Sequence, residues 1–123
     1  MKRKVLVIED EDKVALVLAI WLEEAGYGVL TAANGVDGVR LAMQEKPDLV
    51  ITDIAMPQGG GFAVAYRLCE WNPRLPIIFV TGSKLPGAVE HAKSLGAVGF
   101  LEKPCKADEL VKTVAKALAC QAP

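Results

Sequence analysis

Acidic, hydroxyl and ammonium side chains each follow a short apolar run in this sequence. Glu9-Asp10-Glu11 come after Val5-Leu6-Val7-Ile8, Asp53 after Leu49-Val50-Ile51-Thr52, Thr81 after Ile77-Ile78-Phe79-Val80, and Lys103 after Val98-Gly99-Phe100-Leu101. If the runs are strands of one sheet, these residues gather at one edge. Carboxylates about 4 Å apart repel by about 4 kcal/mol per pair at an effective dielectric near 20, so a cation must sit among them. Mg²⁺, a hard ion that keeps much of its water, suits a site that also takes phosphate oxygens. Lys103 supplies a second positive charge. Nucleotide chemistry lacks its parts: no GxGxxG follows the first run, and no GKS or GKT follows Gly59-Gly60-Gly61. The chemistry that fits is transfer of a phosphoryl group onto a carboxylate, with Asp53 as the nucleophile. Mg²⁺ and Lys103 would neutralise the equatorial oxygens, and the Thr81 hydroxyl would donate to one of them.

The elements that must position these groups alternate. Besides the four runs above, Val29-Leu30-Thr31-Ala32 is apolar and rich in β-branched residues. The five read as fully buried parallel strands. Helical spacing occupies 13–25, 35–45, 62–71, 87–95 and 107–120, with Gly26, Pro47, Pro73 and Gly96 as stop signals. Five β-α units predict an open, doubly wound parallel α/β sheet whose ligand site lies at the carboxyl ends of the strands.

Composition excludes several classes. A length of 123 residues predicts one domain over 1–123, and 52% hydrophobic residues supply its core. A net charge of −1 gives no field for nucleic acid or an anionic membrane. Cys69, Cys105 and Cys120 are widely spaced without a CxxC pair, which fits reduced thiols in a cytoplasm. Neither a secretion signal nor a membrane span is expected. His91, Trp21 and Trp71 read as a surface histidine and two packing residues.

The motifs VLVIEDE at 5–11, DLVITDIAMP at 48–57, PIIFVTG at 76–82 and AKSLGAVGFLEKP at 92–104 together resemble the receiver domain of response regulators. The resemblance covers nearly the whole chain and implies a flavodoxin-like fold with strand order 2-1-3-4-5. It makes Asp53 the phosphoacceptor, Asp10 a direct Mg²⁺ ligand, and Glu9 a partner acting through metal-bound water. Ala55 would offer its backbone carbonyl to the metal. Thr81 matches the switch hydroxyl, Lys103 the site lysine and Phe100 the aromatic switch position, and Lys103-Pro104 matches a bond that is usually cis. The implied donor is a phosphohistidine on a sensor histidine kinase or phosphotransfer protein. The implied role is a switch rather than an enzyme.

Three departures from the family pattern stand out. Gln58-Gly59-Gly60 replaces part of the usual loop motif, leaving Gly61 as its match. Ala55 and Ser83 occupy positions that tune phosphoryl lifetime, and Cys105 stands where many members carry Phe. Two other readings compete. Asp10-Glu11-Asp12-Lys13-Val14 fits the DxDx[TV] motif of haloacid-dehalogenase-type phosphatases, which would move the phosphoryl group to Asp10. A pseudoreceiver that binds partners without phosphorylation is the other, although the complete acid, Thr and Lys set weighs against it. In the first helix Val14, Val17, Leu18, Trp21 and Ala25 form the expected core stripe, while Ala15, Leu16, Ala19 and Ile20 leave an apolar outer face. That face suggests a surface for the phosphodonor or for self-association as a homodimer.

Overall fold

A computed structural model describes residues 2–56, 60–82 and 86–119. Expectations concerning Pro57-Gln58-Gly59, Ser83 and Cys120 lie outside these residues. The element order is β1 (Lys4–Ile8), α1 (Asp12–Glu24), β2 (Gly28–Ala32), α2 (Gly35–Glu45), β3 (Leu49–Asp53), α3 (Gly61–Trp71), β4 (Ile77–Thr81), α4 (Ala88–Ser94), β5 (Gly99–Glu102) and α5 (Ala107–Ala119). All strand pairs are parallel, in the order β2-β1-β3-β4-β5. This is the doubly wound parallel sheet that the spacing predicted, in the flavodoxin-like order that the resemblance implied.

Alternation along the central strands builds two cores. Leu6, Ile8, Val50, Ile77 and Phe79 face one side, where α2, α3 and α4 contribute Val39, Val64, Leu68 and Ala92. Val5, Val7, Leu49, Ile51, Ile78 and Val80 face the other, against Leu18 and Leu22 of α1 and Leu110 and Val114 of α5. A strand with helices on both faces has no solvated side, so β3 and β4 are buried along their whole length. The expectation of five fully buried strands fails at the edges. In β2 only Ala32 is buried, and in β5 only Leu101, because an edge strand has a neighbour on one side and is incompletely covered by helix.

The core stripe of α1 also differs from the expected one. Ala15, Leu18, Ala19 and Leu22 are the residues buried, whereas Val17 and Ala25 are exposed and Val14 and Trp21 are half-buried. Small Ala15 and Ala19 let the helix approach the sheet, so the buried face is rotated toward them. Leu16 and Ile20 remain outside, as expected. Trp71 is on the surface rather than packed inside, at the end of α3 beside Val36 and Met43 of α2. His91 is exposed, as expected, with its ring centroid 4.4 Å from that of Phe62.

Helix ends obey local chemistry. Asn34 caps α2 by accepting from the Asp37 N–H at 2.8 Å. Gly26, at φ +99°, ends α1 in a conformation that Cβ disfavours. Among the described residues no helix is long and apolar enough to cross a membrane.

Phe79 is fully buried between the sheet and α3 and stacks edge-on with Phe62 at 5.2 Å. Phe79→Ala is expected to lower unfolding free energy by about 3 to 5 kcal/mol in urea titrations. Val36→Ala, at a position 57% exposed, should change it by less than about 0.5 kcal/mol.

Candidate phosphoacceptor site

The carboxyl ends of β1, β3, β4 and β5 bring Glu9, Asp53, Thr81 and Lys103 to one edge of the sheet. Asp53 is the last residue of β3 and 4% exposed, while Glu9, just past β1, is 2% exposed. Lys103 Nζ reaches both, at 2.6 Å from Glu9 Oε1 and 2.8 Å from Asp53 Oδ2. Asp10 is exposed at the rim. Glu9, Asp10 and Asp53 each offer an oxygen within 4.8 Å of the others, a spacing and donor set that suit a hard divalent cation. Thr81 ends β4 and is buried, and its carbonyl accepts from the Lys103 N–H at 2.8 Å. Every residue assigned to the site at these strand ends is thus brought to one place.

Backbone chemistry fixes the carboxylates. The Ala55 N–H donates to Asp53 Oδ1 at 3.2 Å, and the Glu11 N–H to Glu9 Oε2 at 3.2 Å. The acidic run therefore does not serve mainly as a cap for α1: Glu11 takes the N-cap position without a side-chain hydrogen bond, and Asp12 is the acid of the first turn. Two supporting residues had no structural role assigned from the sequence: Gly61, noted there only as matching the loop motif, and Thr52. A Cβ on Gly61 would collide with the Asp53 carbonyl oxygen, so only glycine lets α3 begin this close to the end of β3. Thr52, fully buried, donates its hydroxyl to the same carbonyl at 3.1 Å. The triple glycine at 59–61 is the sequence signal for the first; an ordinary strand threonine gives none for the second.

Phe100 pairs with Phe79 in the β4–β5 register and is half-buried against the α4 side of the core. The Lys103–Pro104 bond is cis, as the resemblance implied. Cys105 is half-buried beside Val14, Val17 and Trp21, and burial pushes its thiol pKa up.

One ammonium faces two buried carboxylates at this site. Burial pushes the Glu9 carboxyl up to about 7, and the nearby Asp53 charge adds to the rise, although the bonds from Lys103 and the Glu11 N–H act against it. Burial also opposes the charged form of Lys103, yet its bonds to Asp53 and Glu9 prevail and hold it above the ordinary lysine value. Lys103 therefore stays cationic, and its single charge is shared by two carboxylates.

The family described as response regulator receiver domain matches residues 5–115. The chain belongs to that family. Its relatives include the protein PilH of Pseudomonas aeruginosa, 37% identical over 94% of this chain and 98% of PilH. The alkaline phosphatase synthesis transcriptional regulatory protein PhoP of Bacillus subtilis is 33% identical over 85% of this chain, which spans only 43% of PhoP. Among solved structures, the chemotaxis protein CheY4 of Vibrio cholerae superposes with a TM-score of 0.90 at 29% identity, over 95% of this chain and 99% of that one. Receiver domains of this family are parts of the response regulators of two-component systems.

A pH dependence follows from Glu9. Between pH 4.5 and about 7 the folded protein keeps a proton that the unfolded chain has released, so metal-free stability should fall as pH rises through this window and level off above it. The expected loss is on the order of 2 kcal/mol in denaturant titrations with chelator present, and Glu9→Gln should flatten it. Lys103, raised in the fold, loses its contribution only at far higher pH.

Proposed function

We propose that this receiver domain, reading 1–123 as one domain, accepts a phosphoryl group on Asp53 from a phosphohistidine of a sensor histidine kinase or phosphotransfer protein. The observation that carries this reading is the pairing of buried Asp53 with Lys103 at 2.8 Å beside Glu9 and Asp10. The Asp53 carboxylate oxygen attacks phosphorus, the bond from phosphorus to the donor nitrogen breaks, and the imidazole leaves with that electron pair. Asp10, Asp53, the Ala55 carbonyl and, through water, Glu9 would hold Mg²⁺. When bound, it supplies positive charge to the phosphoryl oxygens as a Lewis acid.

This chain's own groups do the rest. Ala55 N–H orients the Asp53 carboxylate. Lys103, already bonded to Asp53, turns its ammonium to pair with a phosphoryl oxygen as that carboxylate becomes an acyl phosphate. Thr81 donates its hydroxyl to another, and the end of β4 is drawn toward Asp53. Phe100, on the neighbouring strand and against α4, follows that shift, so the surface of α4, β5 and α5 changes for a downstream partner. Such a chain is a switch that takes part in its own phosphorylation rather than an enzyme acting on other molecules. The phosphatase reading through Asp10 has less support, since Asp10 is exposed and Lys103 contacts Glu9 and Asp53 instead.

Intact mass after incubation with Mg²⁺ and acetyl phosphate tests the assignment. One labile phosphoryl group is expected on wild type and none on Asp53→Asn. An adduct that survives Asp53→Asn but disappears in Asp10→Asn would overturn the proposal in favour of the phosphatase chemistry. The absence of any adduct from both acetyl phosphate and a phosphohistidine donor would favour a pseudoreceiver.

A further inference from the structure

The outer face of α1 carries a pattern that the phosphoacceptor site does not use. Lys13, Val17, Ile20 and Glu24 are spaced four, three and four residues apart, which on a helix of about 3.6 residues per turn gives one straight seam. The seam lies opposite the buried residues Ala15, Leu18, Ala19 and Leu22, so it points to solvent. Val17 is 41% and Ile20 42% exposed, and Leu16 beside them is 60% exposed. Trp21, half-buried, borders the seam on its other flank. Exposed β-branched residues are poor choices for a merely solvated helix face, where they add neither helix propensity nor solubility.

The charges bracket this apolar centre with opposite sign. Lys13 stands at the amino end of the seam and Glu24 at its carboxyl end, both exposed and neither in an ion pair among the described residues. Such a seam is complementary to itself when reversed. In an antiparallel pairing that sets Val17 against Ile20 of a second copy, the same register sets Lys13 against Glu24, because each pair of residue numbers has the same sum. The two-fold axis makes each contact occur twice, giving two apolar layers flanked by two opposite-charge layers.

We propose that α1 is a self-association surface on which a second copy of this chain packs its own α1 antiparallel, Val17 on Ile20 and Lys13 on Glu24. One pair of helices buries less than a standard stable interface, so the dimer is weak, with a dissociation constant between about 10 µM and 1 mM.

Charge reversal of the full chain tests this by sedimentation equilibrium, with circular dichroism melts confirming that each surface variant is folded. Lys13→Glu alone and Glu24→Lys alone each place like charges together twice, and each should weaken association about fivefold or more. The double variant Lys13→Glu with Glu24→Lys exchanges the two ends of the seam and should restore wild-type association within about twofold. Ile20→Lys should abolish it in either background. Wild type that stays monomeric at about 1 mM would overturn the proposal, and so would single reversals without effect or a double variant that fails to recover.

Discussion

A single ammonium group, Lys103 Nζ, serves two buried carboxylates, at 2.6 Å from Glu9 and 2.8 Å from Asp53. Removing charges from water is costly unless partners and hydrogen bonds compensate, and here one positive charge cannot compensate two negative ones. The remaining imbalance appears as the raised Glu9 pKa and as the cluster of Glu9, Asp10 and Asp53 oxygens suited to a cation. A receptacle for positive charge is thus a consequence of where the chain puts its acids. Under the proposed function, phosphorylation of Asp53 would change what Lys103 must balance, and this would link the chemistry to a conformational response.

The doubly wound sheet makes that imbalance sustainable. Each central strand is pinned by a parallel neighbour on both sides, so the end of β3 cannot drift relative to β1 and β4. Two apolar cores hold the sheet from its two faces. Gly61 lets α3 start against the Asp53 carbonyl, with its N–H donating to Ile54 O at 2.8 Å. The register pairs Asp53 with Val80 and leaves Thr81 one step beyond, at the lip of the sheet.

The five strands, five helices and the residues at the strand ends were legible because each depends on near neighbours in sequence: an apolar β-branched run, then a charge. What failed depends on distant packing. Val29 to Ala32 looks as apolar as Leu49 to Thr52, yet one run lies at the edge of the sheet and the other at its centre, which no local pattern distinguishes. In α1 every residue from Val14 to Leu22 is apolar, so periodicity left the choice of face ambiguous; the small side chains of Ala15 and Ala19 decided it by close approach to the sheet. Thr52 went unremarked because its bond is made to the next residue's carbonyl only once the strand end is fixed. The surplus of apolar residues in α1 is also what leaves a seam free on its outer side.

Paramagnetic Mn²⁺, a substitute for Mg²⁺ at oxygen sites, tests the charge imbalance most directly when titrated into uniformly ¹⁵N-labelled protein. The amide signals of Glu9, Asp10, Asp53 and Ala55 should broaden first, and Asp10→Asn and Asp53→Asn should require markedly more metal for the same effect. Saturable broadening centred elsewhere, or no site-specific broadening at the carboxyl ends of the strands, would contradict that imbalance.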